Sequence, residues 1–251
     1  MTKIILSGCN GKMGKVITSC VANRDDCMIV AGVDLNTDSI SNYPVYSSFS
    51  EVTEEADVII DFSHPSVLNA LLDFAKNRSL PLVLATTGFS ASQTEQIKSV
   101  AKYIPLFFTF NMSLGINLLV ALSKKAAEIL DGNFDIEIVE KHHNQKLDAP
   151  SGTAIMLAEA INETLDGKMM YEFDRHSKRE KRPENQIGIH SIRGGNIVGE
   201  HEVIFAGHDE VITLSHQATS KEVFAVGALK AAIFMHGKPV GLYDMNNVIT
   251  L

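Results

Sequence analysis

Residues 3–14 read KIILSGCNGKMG, an apolar run followed by glycines at Gly8, Gly11 and Gly14. The apolar run predicts a buried strand over Lys3–Ser7. The glycines permit a tight turn with close backbone approach, and a helix is expected over Lys15–Ala22. A strand, a glycine-rich turn and a helix start, in that order, form a cradle for a pyrophosphate. The unpaired N–H groups of the first helical turn and the helix dipole both favour negative charge there. Lys12 adds a positive charge to the turn. The next predicted strand, Met28–Val33, ends at Asp34, where an acid accepts hydrogen bonds from an adenosine ribose. The competing reading is a strand-to-helix turn with no ligand; the acid at that position favours the dinucleotide.

Outward from this unit the alternation continues. Strands are expected over Asp57–Phe62, Leu80–Thr86 and Pro105–Phe110. Helices are expected over Ser66–Asn77 and Glu95–Ala101, the second opened by a capping box of Ser92 and Glu95. Thr37–Glu51 reads as a loop with room for one short strand. Such alternation predicts an α/β fold with a Rossmann-like, doubly wound parallel sheet. Thr86-Thr87-Gly88 and Asn111-Met112-Ser113 follow strands at the edge that carries the ligand crevice. Each serves either as a wall of the nicotinamide site or as simple turn and cap chemistry. His64, ahead of Pro65, belongs to the same edge.

Beyond residue 110 the pattern changes. A long helix over Leu114–Leu130, a strand over Phe134–Glu140 and a helix over Thr153–Leu165 are followed by three strands without helices between them. These are Ile187–Arg193, Gly199–Phe205 and Val211–His216. They predict a second, α+β domain with a mixed or antiparallel sheet, one face of which is available to another subunit. A last helix covers Lys221–Met235; periodicity does not say to which domain it and the tail Gly241–Leu251 belong.

Composition narrows the function. The chain has 251 residues, 45% of them hydrophobic, and a formal charge of -8, which disfavours a general nucleic-acid binder. No apolar run approaches the ~18 residues of a membrane span, and the start reads as a strand. Cys9, Cys20 and Cys27 show no CxxC spacing and fit reduced, buried thiols in the cytoplasm. Cys9, beside a helix start, is the thiol with a setting for a lowered pKa.

The richest chemistry lies in residues 140–153, EKHHNQKLDAPSGT. His142, His143 and Lys146 are proton-handling groups at a strand end. Lys146 is close enough in sequence for a turn to bring it to His142. Ser151 or Gly152–Thr153 opens the following helix, whose N–H groups suit a substrate carboxylate. A solvated loop is the competing reading. No Cys or HExxH pattern completes a metal site, so no metal is expected. His190, His201, His208 and His216 are expected at the surface or core edge. The run Arg175–Arg182 reads as a solvated face or a loop that guides an anionic substrate, and Arg193 as a contact to substrate or a neighbouring chain.

At these motifs the chain resembles the 4-hydroxy-tetrahydrodipicolinate (dihydrodipicolinate) reductase family. GCNGKMG, EKHHNQKLDAPSGTA, SIRGGNIVGEHEVIFAG and the closing GLYDMNNVI carry the likeness, which covers nearly the whole chain. It implies a dinucleotide-binding domain of residues 1–108 plus 219–251, and a substrate-binding and oligomerisation domain of residues 109–218. It implies a cytoplasmic homotetramer with NADH or NADPH as cofactor and a small cyclic dicarboxylate as substrate, with no nucleic-acid or membrane partner.

By the same resemblance His142 is the proton donor and Lys146 the second catalytic residue. His143, Gly152 and Thr153 bind a substrate carboxylate. The dinucleotide contacts are Gly8, Cys9, Asn10, Gly11, Lys12, Met13, Asp34, Ala85, Thr86, Thr87, Thr109, Phe110, Asn111 and Met112. Four positions depart from the family pattern: Ala85 stands where glycine is common, Phe110 and Met112 differ, and Leu35 is the fourth. Leu35 replaces an arginine that often meets the phosphate of NADPH. With Asp34 beside it, this predicts acceptance of NADH; Lys12 leaves NADPH open. The implied reaction reduces a conjugated imine with hydride at C4 and a proton at C3. Another small-substrate dehydrogenase and a non-enzymatic NAD(H) sensor are the rival readings. Neither requires His142, His143 and Lys146 together.

Overall fold

A computed structural model describes residues 1–38 and 42–249. The chain divides into two compact units, Met1–Leu114 with Lys221–Leu251 and Gly115–Ser220. The first runs to Leu114 rather than to residue 108, because Met112 and Leu114 pack into its core. It resumes at Lys221 rather than at 219.

The first unit is built on strands β1 (Thr2–Ser7), β2 (Cys27–Val33), β3 (Val45–Tyr46), β4 (Val58–Asp61), β5 (Leu82–Leu84) and β6 (Pro105–Phe108). Helices α1 (Lys12–Val21), α2 (Leu68–Asn77) and α3 (Ala91–Val100) connect them. The α/β expectation holds: the order is β3-β2-β1-β4-β5-β6, all parallel, with a last strand from the tail beyond β6. Strands β1, β4 and β5 read as continuous apolar runs because both of their faces are covered. α3 begins earlier than expected. Ser90 and Gln93 form the capping box, with the Gln93 N–H donating to Ser90 Oγ at 3.2 Å. Two overlapping capping sequences stand here, and the upstream one lengthens the helix for the same hydrogen bonds.

The second unit contains α4 (Leu114–Leu130) from Gly115 onward, β7 (Asp135–His142), α5 (Gly152–Thr164), β8 (Met170–Glu172), β9 (Gln186–Arg193), β10 (Gly199–Ala206) and β11 (Val211–Ala218). Its sheet is mixed, in the order β11-β10-β7-β9-β8. β10 runs antiparallel to β7 and β11, whereas β9 is parallel to β7 and β8. Ile116 and Leu119 of α4 and Leu157, Ala158 and Ile161 of α5 cover one face, against Ile136, Ile138, Ile187, Ile189, Val203 and Phe205. The other face carries Glu137, Lys141, His190, Glu202 and Thr213.

The chain closes with α6 (Glu222–Met235) and β12 (Gly241–Tyr243), both in the first unit. α6 buries Ala225, Gly227, Ala228, Leu229, Ala231, Ala232 and Met235. β12 pairs with β6. With three residues each, β8 and β12 are too short for a periodic signal, and neither was expected from the sequence.

The period of two along β7 sets up the functional site. Ile136, Ile138, Glu140 and His142 share one face, apolar for the first pair and polar for the second. Register then lays Ser191, Glu140, His201 and His216 in one row across β9, β7, β10 and β11. The apolar half of this face is the keel of the unit. Phe205→Ala is expected to cost about 3–5 kcal/mol, read as a fall in the urea midpoint. An unchanged midpoint would contradict the packing of Phe205 in this core.

Candidate active site

In the first unit a parallel sheet gathers its loops at one edge. Ser7, Val33, Asp61, Leu84 and Phe108 end β1, β2, β4, β5 and β6, and the turns that follow share the crevice side. Gly8 has φ of +76°, and a Cβ there would lie 2.5 Å from the Phe62 carbonyl oxygen. A Cβ on Gly14 would lie 2.2 Å from the Gly8 carbonyl oxygen. The turn is thus wound against its neighbours as tightly as glycine allows. Gly11 is the N-cap of α1 and supplies no side-chain hydrogen bond to the helix start. Lys12 is the first helical residue and is exposed.

Asp34 lies beside this turn. Its Oδ2 accepts from the Asn10 backbone N–H and its Oδ1 from that of Asn36, both at 3.0 Å. The Asn10 amide donates to the carbonyls of Asn36 at 2.6 Å and Asp38 at 3.0 Å. A cavity of about 570 Å³ is lined by Gly8, Gly11, Asp34, Leu35, Phe62 and His64, among others. Leu35 is 91% exposed and puts no cation at the rim. A helix start without a side-chain cap, glycines leaving no room for a side chain and a carboxylate at the cavity wall together fit a dinucleotide.

Further along the edge, buried Asp61 accepts from Ser63 Oγ at 2.5 Å and from Thr86 Oγ1 at 2.6 Å. Burial pushes its carboxyl pKa up, while these hydroxyls oppose the shift. The Ala85 N–H donates to the Asp61 carbonyl at 2.9 Å, so Ala85 and Thr86 are both fixed to the end of β4. Thr87 is exposed. Asn111 Oδ1 accepts from the Ser113 N–H at 2.8 Å. Thr109 Oγ1 lies 3.3 Å from the Asn111 carbonyl oxygen. Phe110 is 74% exposed and meets Phe108 edge-on at 5.4 Å.

Two expected contacts have side chains facing the core. Cys9 is 1% exposed and Met112 3% exposed, which leaves their backbone for a ligand. Met13 is half-buried against the same core. The lowered thiol pKa considered for Cys9 is reversed. Burial, with the Asp34 charge behind it, pushes the thiol up to about 11.

In the second unit the polar end of the sheet forms a connected cluster. Glu140 is 0% exposed. Arg193 grips it with both terminal nitrogens, Nη1 to Oε2 at 2.7 Å and Nη2 to Oε1 at 2.6 Å. His142 Nδ1 lies 2.6 Å from Glu140 Oε2, and the Ser151 N–H donates to Oε1 at 3.0 Å. Despite burial, these donors hold the Glu140 carboxyl down to about 2, so it is ionised. Burial holds the His142 pKa below its ordinary value against the pull of Glu140.

His201 stands edge-on to His142 with ring centroids 5.2 Å apart. It shares a hydrogen bond with Ser151 Oγ at 3.1 Å. Burial lowers its pKa to about 4, so the ring is neutral. Ser151 caps α5 by accepting from the Ala154 N–H at 3.2 Å, and Gly152 opens the helix with nothing near its Cβ position. Thr153 follows in the same first turn. Lys146 Nζ pairs with Asp148 at 2.8 Å, and its N–H closes a turn on the His143 carbonyl at 3.1 Å. His143 is half-buried just beyond β7. The Gly194 N–H donates to the His142 carbonyl at 2.9 Å and fastens the histidine loop to the β9 end.

Several site residues were missed by the sequence reading. Glu140 was passed over, although the alternation that buries Ile136 and Ile138 also points Glu140 and His142 to their side. His201 was expected at the surface or core edge and is buried beside His142. Arg193 grips Glu140. The charged run is fixed by its arginines: Arg182 binds Glu137 at 3.0 Å and Asp135 at 2.7 Å, and Arg175 binds Gln186 at 2.8 Å. A second cavity, of about 480 Å³, opens at the other end of β7 by Asp131 and His208 and holds none of the expected site residues. Among the described residues no group of His, Cys, Asp or Glu is placed to hold a metal ion, and no helix is long and apolar enough to cross a membrane.

Two outcomes follow from this geometry. A chromogenic disulfide reagent at neutral pH is expected to label half-buried Cys20 and spare Cys9 and Cys27, with all three thiols reacting in urea. Labelling of Cys9 at the rate of Cys20 would sink the buried-thiol reading. Glu140 has a folded pKa of about 2 against an ordinary 4.5, so its contribution to stability is complete above about pH 4.5 and is lost as pH falls toward 2. Glu140→Gln is expected to flatten the loss of stability across that window in urea titrations at stepped pH. An unaltered slope would contradict the clamp.

Comparison with known proteins gives the family of the chain. Residues 2–112 match the family model described as dihydrodipicolinate reductase, N-terminus, and residues 115–249 match its C-terminus counterpart. A 4-hydroxy-tetrahydrodipicolinate reductase of Caldanaerobacter subterraneus subsp. tengcongensis is 53% identical, across 99% of this chain and 98% of its own. One from Clostridium novyi is 51% identical over the same shares. Among solved structures, a dipicolinate-bound dihydrodipicolinate reductase from Paenisporosarcina sp. TG-14 superposes with a TM-score of 0.82. It is 26% identical and is matched over 99% of this chain and 100% of that one. GenD2 of gentamicin A biosynthesis, solved with NAD, shares the fold at a TM-score of 0.62, with 9% identity over 95% of this chain and 87% of that one. This chain belongs to the dihydrodipicolinate reductase family.

Proposed function

We propose a division of labour among the residues above for the reaction of this family, the NAD(P)H-dependent reduction of 4-hydroxy-tetrahydrodipicolinate to tetrahydrodipicolinate in diaminopimelate and lysine biosynthesis. The chain is an enzyme of that reaction. One observation carries the assignment of roles. His142 is held by an ionised, buried Glu140 beside the start of α5, so a group able to deliver a proton stands next to N–H groups suited to a carboxylate.

Gly8, Gly11, Lys12 and the start of α1 hold the pyrophosphate, with Cys9, Asn10 and Met13 contributing backbone. Asp34 accepts from the adenosine ribose. Ala85, Thr86, Thr87, Thr109, Phe110, Asn111 and the Met112 backbone wall the nicotinamide. When bound, the dihydronicotinamide supplies hydride. The small cyclic dicarboxylate is held by His143, Gly152 and Thr153 through a carboxylate. Lys146 adds positive charge near the ring nitrogen or a carboxylate, and His142 gives the proton that completes the reduction at C3. Exposed Leu35 beside Asp34 favours NADH at least as well as NADPH, since no cation at that position meets a 2′-phosphate.

The enzyme works in the cytoplasm, a reducing compartment that suits three unpaired thiols. It assembles as a homotetramer through the uncovered face of the mixed sheet. There Ile192 and Val211 are exposed, and Lys141 pairs with Glu200 and Glu202.

The test is oxidation of NADH and NADPH, followed by absorbance, with substrate made freshly by the preceding synthase. His142→Ala and Lys146→Ala are each expected to lower kcat/KM by roughly 10²–10⁴-fold with cofactor binding retained. NADH is expected to be used at least as efficiently as NADPH. Full activity in either variant would remove that residue from its role, and strict NADPH dependence would overturn the reading of Asp34 and Leu35.

A further inference from the structure

Glu140 touches neither cofactor nor substrate in the division of labour above, where it only holds His142, yet it is fully buried beside that histidine. Arg193 and the Ser151 N–H surround it, and with its pKa at about 2 it has no proton to give near neutral pH. A carboxylate can only accept hydrogen bonds. The 2.6 Å contact to His142 Nδ1 is therefore an Nδ1–H donated to Glu140. The remaining nitrogen, Nε2, is the one whose protonation changes. It faces Gly199, where a Cβ would lie 3.1 Å away and crowd it. We propose that Glu140, clamped by Arg193, is the positioning residue that locks the His142 ring and tautomer, so that Nε2 alone delivers the proton to the substrate.

The proposal rests on the reading of His142 as proton donor. In the step itself the electron pair of the enamine formed by hydride addition takes the proton from Nε2. A C3–H bond forms, the ring C=N bond is restored, and the former Nε2–H pair stays on a neutral imidazole. Nδ1 keeps its proton and donates it in the hydrogen bond to Glu140 throughout, so the ring returns to its starting tautomer without rotating.

The charged and titratable groups facing His142 are Glu140 on its own strand, Arg193 on β9, His201 on β10 and Lys146 in the following loop. Of these only Glu140 favours the imidazolium, since Arg193 and Lys146 oppose it and His201 is neutral. A dicarboxylate in the site adds negative charge and works against the desolvation that lowers the His142 pKa, so substrate binding favours the charged donor.

The first experiment is two-bond ¹H–¹⁵N correlation NMR on the full-length wild-type enzyme, with His142 identified from the His142→Gln spectrum. The expected neutral form is protonated at Nδ1; protonation at Nε2 would overturn the proposal. The second compares pH profiles of kcat/KM. A donor must be protonated, so the profile falls as pH rises through the His142 pKa. In Glu140→Gln the lost negative charge lowers that pKa and moves the falling limb to lower pH. At neutral pH the activity is expected to drop by roughly 10–10³-fold, with partial recovery in Glu140→Asp. A uniform fall with an unmoved limb assigns Glu140 to structure alone and overturns the proposal; if the variant does not fold, the wild-type tautomer decides. Activity retained in His142→Gln with Nδ1 protonated in the wild type would instead overturn the donor reading, which separates the two failures.

Discussion

A carboxylate taken out of water must be met by charge and hydrogen bonds, or it takes up a proton. Glu140 imposes that condition on the second unit. Meeting it fixes the guanidinium of Arg193 at the end of β9, the Ser151 N–H at the entry to α5 and the imidazole of His142 on β7. The ends of β9 and β7 and the entry to α5 are thereby registered against one side chain. The order that results is worth more to function than to stability, because a buried ion pair is a weak source of net folding energy. The apolar half of the same face, Ile136, Ile138, Val203 and Phe205, supplies the burial on which the unit stands.

The first unit solves a similar problem with neutral partners. Asp61 ends β4 at the carboxyl edge of the sheet, and hydroxyls from Ser63 and Thr86 meet its oxygens. Parallel strands bring their carboxyl ends together whatever their sequences, so the edge exists by topology. What must be specified locally is how each loop leaves it. Gly8 and Gly14 do this for the turn after β1 by bringing backbone against backbone. Asp61 does it for the turn at Ala85 and Thr86.

Much of this was legible in the sequence because the signals are local. The apolar run of β1, the glycine turn and Asp34 lie in nearly contiguous chain, and their reading as a strand, turn and helix start holds. So do the mixed sheet after residue 110 and the long helix Leu114–Leu130. The histidine segment could be picked out, but its partners could not. Arg193 and His201 reach His142 through strand register, which no local pattern encodes. Glu140 was within reach, two residues from His142 on an alternating strand, but the charged residues around it read as solvated. The helix start at Ser90 was missed for a different reason, since two capping sequences overlap and only the structure shows which is used. Cys9 shows the limit of reasoning from a helix start alone, because its side chain turns inward, where desolvation outweighs any dipole.

The small knot at Asn10 has a wider meaning. Its backbone N–H is held by Asp34, and its side chain is tied to the carbonyls of Asn36 and Asp38. The glycine turn and the loop that follows β2 are therefore one mechanical object. Lineages that change which dinucleotide they use face a coupled problem. Replacing the acid and the leucine after it with a basic pair also unfastens the turn, so the two segments must be rewritten together.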